Sequence, residues 1–153
     1  MDNLFKEYKD IFASDYSEMG RTDLVQHYIN TDDATPIKQR WYSSTYFGHQ
    51  TIQSEIAKML KLGIIEKSFG PWASPVVLVG KPNGTWRFCV DYRKLNSVTK
   101  KDVYPLSRIN DILDSLDGSS DFSTIDLFSG YWQIAMAPED KEKTAFIIKF
   151  RTF

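Results

Sequence analysis

Cysteine is almost absent from this 153-residue sequence. Cys89 stands alone, so no internal disulfide can form, and no Cys/His pair has the spacing of a zinc site. It reads as a buried strand thiol rather than a reactive one. No apolar run approaches the ~18 residues of a membrane span. The N-terminus, with acidic Asp2 and no apolar stretch behind it, does not read as a signal peptide. These absences predict an intracellular, cytoplasmic chain that is neither secreted nor membrane-bound. There is no internal repeat, no low-complexity tract and almost no net charge, the formal balance being -1. What remains is material for one modest core, with 42% hydrophobic and 14% aromatic residues.

The near-neutral total hides an uneven distribution. Residues 1–35 carry eight acids (Asp2, Glu7, Asp10, Asp15, Glu18, Asp23, Asp32, Asp33) against Lys6, Lys9 and Arg21, a local balance of -5. Residues 80–101 reverse the sign to +5, with Lys81, Arg87, Arg93, Lys94, Lys100 and Lys101 against Asp91. Trp86 and Tyr92 are interleaved with those cations. A basic segment bearing aromatics suits phosphate contact, and a solvated surface is the alternative.

Periodicity outlines the elements. Leu4, Phe5, Tyr8, Ile11 and Phe12 recur at helical spacing, so residues 3–12 are predicted as a short amphipathic helix. Residues 14–48 show no sustained period and are predicted as an extended arm packed on the domain; with the helix they form a lead-in over 1–48. A helix is predicted over 48–62, its apolar face formed by Ile52, Ile56, Met59 and Leu60 and its end marked by Gly63. Two strand-like runs, 75–79 and 85–91, flank Lys81-Pro-Asn-Gly84, whose turn chemistry predicts a hairpin. Alternation sets Trp86, Phe88 and Val90 on one face and Arg87, Cys89 and Asp91 on the other. After a short turn over 92–96, a helix from Pro105 through Leu116 closed by Gly118 is predicted, then strands over 122–126 and 131–137, an acidic turn opened by Pro138, and a strand over 144–150. Strand pairs mixed with helices, without regular alternation, indicate an α+β fold.

The strongest chemical clue is Phe122-Ser-Thr-Ile-Asp126-Leu-Phe-Ser-Gly-Tyr131-Trp-Gln-Ile134. It sets one carboxylate between apolar residues, directly before Ser129-Gly130, where the backbone can approach a ligand closely. By itself a strand-terminal Asp is as often a cap or turn residue. The segment resembles the first catalytic motif of reverse transcriptases of Ty3/gypsy-type LTR retrotransposons. Ser74-Pro-Val-Val-Leu-Val79 followed by Lys81-Pro-Asn-Gly-Thr-Trp-Arg-Phe-Cys-Val-Asp-Tyr-Arg-Lys-Leu-Asn96 is similar to their fingers hairpin. Gly63-Ile-Ile-Glu66, Gly70-Pro-Trp-Ala-Ser74, Tyr104-Pro-Leu106 and Asp140-Lys-Glu-Lys-Thr-Ala-Phe146 extend the likeness from about residue 36 to the C-terminus.

That resemblance implies a right-hand polymerase fold in part, with fingers and the first half of the palm over residues 49–153, and an RNA-directed DNA polymerase activity. Two Mg2+ ions are implied in the complete enzyme, held in part by Asp126 and the Leu127 carbonyl. Lys81 and Arg87 would clamp the triphosphate, although Gly80 stands where the family often has a first lysine. Ser129, Gly130 and Tyr131 would complete the nucleotide site, with Tyr131 as a steric gate or else a residue filling the corner. Asp91, Arg93 and Asn96 match template-binding positions; a surface ion pair between Asp91 and Arg93 is the alternative. The implied partners are an RNA or DNA template-primer, a dNTP, and a Pol polyprotein's protease, RNase H and integrase within a virus-like particle. The family's second acidic motif, Tyr-x-Asp-Asp, does not occur in the sequence, so the expectation is half an active site, inactive alone. A non-catalytic nucleic-acid-binding remnant is the second reading, and an unrelated α+β binding module the third.

Overall fold

The computed structural model describes residues 2–149 and 151–153. Helix α1 (Asp2–Glu7) passes into a 3₁₀ turn (Lys9–Ile11), and the arm that follows contains strand β1 (Thr22–His27). Helix α2 (Tyr46–Lys61) leads to β2 (Ser74–Gly80) and β3 (Trp86–Val90), then to the short helices α3 (Arg93–Val98) and α4 (Ile109–Ser115). A 3₁₀ turn (Gly130–Gln133), β4 (Ile134–Met136), a second 3₁₀ turn (Lys141–Thr144), β5 (Phe146–Ile148) and β6 (Arg151–Thr152) follow. The α+β expectation holds.

Helix α2 is built as its sequence demands. Thr45 caps its start, accepting from Gly48 N–H at 3.2 Å. At its end Gly63 sits at φ +65°, and Gly63 N–H and Ile64 N–H reach back to the carbonyls of Leu60 and Met59. This pair of bonds is a Schellman closure, which requires a left-handed residue and therefore favours glycine. The buried face, Ile52, Ile56 and Met59, joins Val76, Phe146, Ile148 and Phe153 in the main core. Ile29, Trp72 and Leu95 form a second cluster under the arm.

The hairpin forms in register, from Val76 opposite Val90 to Gly80 opposite Trp86, with Gly84 at φ +77° in its turn. Phe88 and Val90 pack on the core as their alternation predicts, whereas Trp86 at the tip is exposed. Cys89 is half-buried rather than buried. The sheet order is β3-β2-β5-β6, with β2 and β5 parallel. The predicted strand over 144–150 is β5; its last residue, Phe150, lies outside the described residues.

Further expectations change. The strand predicted over 131–137 is confined to β4, because residues 130–133 wind into the 3₁₀ turn. The arm gains a strand that its lack of period did not announce: β1 runs parallel to β4, with Thr22 opposite Ile134 and His27 opposite Met136. The turn over 92–96 tightens into α3. The helix predicted from Pro105 shortens to Ile109–Ser115; Leu106, Ile109, Ile112, Leu113 and Leu116 are all exposed, so no packed face supports a longer helix. No strand forms over 122–126; Phe122 and Ile125 are exposed, and without a neighbouring strand to complete a ladder the segment stays irregular.

Candidate functional site

Asp126 and Leu127 occupy that irregular segment, both exposed, immediately before the turn. The turn itself is sharply defined. Ser129 takes the left-handed conformation at φ +50°, unusual for a residue with a side chain, and its carbonyl accepts from Trp132 N–H at 2.8 Å. Gln133 Nε2 donates to the Phe128 carbonyl at 2.8 Å and ties the turn to the start of β4. A Cβ at Gly130 would come within 3.2 Å of the Leu127 Cβ, so glycine fits the close approach there. Tyr131 projects outward, 98% exposed, beside the backbone that carries Asp126.

The hairpin supplies the cations. Lys81 begins its tip, where Lys81 N–H donates to the Thr85 carbonyl at 2.8 Å, and Arg87 lies on β3 opposite Val79. Both side chains are exposed. At the far end of β3, Asp91 accepts from Arg93 Nε at 2.8 Å and Nη2 at 2.7 Å and from the Tyr42 hydroxyl at 3.3 Å. The Arg93 hydrogen bonds hold the Asp91 carboxyl well below the usual carboxylate range and push the Arg93 guanidinium up. The ion-pair alternative for Arg93 is thus realised. Asn96 is exposed on α3, its N–H donating to the Tyr92 carbonyl at 2.8 Å.

Asp91 and Arg93 are therefore brought into contact; among the described residues no hydrogen bond or ion pair joins Asp126 to Lys81, Arg87, Asp91, Arg93 or Asn96. No group of three or more His, Cys, Asp or Glu side chains that could hold a metal occurs among the described residues. No described helix is long and apolar enough to cross a membrane.

Residues 79–153 match the family model for reverse transcriptase (RNA-dependent DNA polymerase). They belong to the reverse transcriptase family. The match takes in β3, the Asp126 turn and everything between them. The chain is 34% identical to the retrovirus-related Pol polyprotein from transposon 412 of Drosophila melanogaster, over 95% of its own length and 12% of that protein's. It is also 34% identical to the corresponding polyprotein from transposon gypsy of the same organism, over 96% of this chain and 16% of that protein. The chain thus spans only a small part of these relatives.

Solved structures agree on the fold. The prototype foamy virus protease-reverse transcriptase superposes with a TM-score of 0.84 at 27% identity, over 99% of this chain and 20% of that one. A foamy viral protease-reverse transcriptase in complex with double-stranded DNA gives 0.79 at 26% identity, over 98% and 26%. The expected partial polymerase fold is therefore the one present.

Sequence reasoning missed three sets of contacts. Tyr42 of the arm reaches Asp91. Asp140, buried, accepts from Ile29 N–H at 2.8 Å and from Lys143 Nζ at 2.6 Å, pinning the arm to the chain after β4. Tyr16 packs on Phe128 and Trp132. Tyr42 with Asp91, Ile29 with Asp140 and the Tyr16 stack are long-range, and no local spacing announces them; Asp140 with Lys143 is a local i,i+3 pair.

Proposed function

We propose that these residues supply the fingers (from residue 49) and the first half of the palm of an RNA-directed DNA polymerase, with residues 1–48 as a lead-in. The observation that carries this reading is the family match over 79–153, which holds within one ordered stretch both the hairpin's basic tip with β3 and the carboxylate-bearing turn. The reaction joins a primer 3′-hydroxyl to the α-phosphorus of a dNTP and releases pyrophosphate.

The donor set fits magnesium in part. The Asp126 carboxylate and the Leu127 carbonyl are hard oxygen donors on an exposed segment, whereas no described cluster completes a site. Bound there, two ions would neutralise charge on the attacking and leaving oxygens. A second acidic motif outside these residues and the triphosphate would supply the other donors.

The chain's own groups do the rest. Arg87 grips the triphosphate as a planar fork and Lys81 as a point charge at the hairpin tip. Gly130, with no Cβ, lets the backbone at the Ser129 turn approach the nucleotide. Tyr131, fully exposed at that turn, lies under the incoming sugar and disfavours a 2′-hydroxyl. The template strand passes the end of β3, where Asn96 and the Asp91-Arg93 pair meet its sugars and phosphates rather than its base edges. The enclosing polyprotein, with protease, RNase H and integrase, would act in a cytoplasmic virus-like particle.

The test is primer extension by a protein carrying these residues through the second acidic motif. Asp126→Asn keeps the size and removes the charge, so template-primer binding should persist while extension falls by several orders of magnitude. An Asp126→Asn protein that still extends primers would remove Asp126 from this role; a wild-type protein that binds but never extends would leave the non-catalytic remnant as the better reading.

A further inference from the structure

Tyr16 belongs to the arm, far from Asp126 in sequence, yet its ring is set against the Asp126 turn. Its centroid is 4.9 Å from that of Phe128 and 5.7 Å from that of Trp132, both in tilted geometry. On α2, Lys58 Nζ stands over the same ring, 4.0 Å from its centroid. Aromatic pairs at these separations and a cation over a ring face are both attractive. Phe128 and Trp132 bracket Ser129, the residue held in the left-handed region.

That conformation must be imposed by its surroundings, because a residue with a Cβ does not favour it. Two hydrogen bonds help impose it, Trp132 N–H to the Ser129 carbonyl and Gln133 Nε2 to the Phe128 carbonyl. Trp132 continues inward onto the main core, while Phe128 follows the irregular, exposed Asp126 segment. Tyr16 bridges the two aromatics. A few residues later the arm forms β1 and pairs with β4, directly after the turn. The arm therefore grips this turn through a side-chain stack before β1 and a backbone ladder along it.

We propose that Tyr16 is a positioning residue for the Asp126 turn: its ring, held by Lys58, clamps Phe128 to Trp132 and so fixes the backbone between the Asp126 carboxylate and Tyr131. This rests on the reading of that turn as the site of nucleotidyl transfer. Tyr16 touches neither nucleotide nor metal in this role. It acts by limiting where Asp126 can stand, and small displacements of a reacting constellation cost rate more than substrate binding.

The experiment uses the complete polymerase. Tyr16→Leu keeps apolar volume but removes the ring, and kcat for single-nucleotide addition should fall about tenfold while the KM for dNTP stays within about twofold. Tyr16→Phe, which keeps the ring, should restore kcat. Amide exchange should quicken several-fold over residues 127–133 in Tyr16→Leu and stay unchanged over the β2-β3 hairpin. Unchanged exchange at the turn would overturn the proposal, as would wild-type kcat in an active enzyme. A wild-type protein that adds no nucleotide defeats the polymerase reading instead, and turn exchange then decides the clamp alone. Should Tyr16→Leu also loosen the hairpin, Lys58→Met removes only the cation; faster exchange confined to the turn supports the clamp, and its absence overturns it.

Discussion

Arg93 grips Asp91 with two parallel hydrogen bonds, Nε to Oδ1 and Nη2 to Oδ2, across two residues of chain. The fork matches the carboxylate edge to edge, while the Arg93 side chain itself stays largely in solvent. Because the Asp91 pKa is lowered, the pair is intact at neutral pH and parts only as pH falls through that lowered value. A phosphate at this position must then compete with a carboxylate already in place. Asp91→Asn should release the guanidinium, tighten template-primer binding several-fold and steepen its salt dependence by about one phosphate contact. Titrations at two or more salt concentrations check this; weaker binding in Asp91→Asn would show that the carboxylate itself contacts the template strand.

Asp140 and Lys143 close the arm against the chain that follows β4. Lys143 Nζ also donates to the Ile29 carbonyl at 2.7 Å, so one ion pair satisfies both backbone groups of Ile29. The Lys143 hydrogen bond holds the Asp140 pKa below its ordinary value. The carboxylate's contribution to stability is therefore present above the ordinary carboxylate pKa and lost as pH falls through the lowered one. Asp140→Asn should lower unfolding free energy by about 1–3 kcal/mol at neutral pH and flatten the acid limb of the stability profile. Denaturant midpoints from neutral to acid pH measure both; an unchanged acid limb would assign the arm's anchoring to β1 and Ile29 alone.

Tyr92 provides the alkaline counterpart. Its hydroxyl donates to the Thr144 carbonyl at 2.7 Å, and burial pushes its pKa up to about 12. An unfolded tyrosine ionises near pH ~10, so the neutral hydroxyl's contribution is complete below that value and is lost as pH rises through the folded value. Roughly 2–3 kcal/mol should disappear across that window. Tyr92→Phe loses about 1 kcal/mol at neutral pH but should lack the alkaline slope. Urea midpoints across the window, wild type against Tyr92→Phe, separate the two; parallel slopes would mean another group governs alkaline unfolding.

What was legible in the sequence was what local chemistry decides. The α2 periodicity ended by Gly63 and the Pro82-Asn83-Gly84 turn between apolar runs each fix their element through near neighbours, and both formed as expected. The segment over 122–126 has strand-like residues but needs a neighbouring strand, and the helix after Pro105 needs a face to bury against; neither support is present among the described residues, and neither element formed fully. Strand β1 is the converse case. Its exposed residues show no alternation, and only β4, far along the chain, makes it a strand. The proposed site divides the same way: motif order marks Asp126, Arg87 and Tyr131 as candidates, whereas Tyr16, Tyr42 and Asp140 owe their places to contacts across the fold.

On the proposed reading Tyr131 and Arg87 make separable predictions, because one would gate the sugar and the other would grip phosphate. Tyr131 is almost wholly exposed, so Tyr131→Ala removes no packing and should leave stability within about 0.5 kcal/mol of wild type. In the complete polymerase that change should raise ribonucleotide incorporation relative to deoxynucleotide by an order of magnitude or more. Arg87→Ala, also at an exposed position, should instead raise the KM for both sugar types together, with little change in their ratio. Single-turnover incorporation of matched ribo- and deoxynucleotides measures both effects on one template. A selectivity change in Arg87→Ala, or none in an active Tyr131→Ala enzyme, would mean that the hairpin and the Ser129 turn divide the nucleotide differently, with the sugar read at β3 rather than beside Asp126.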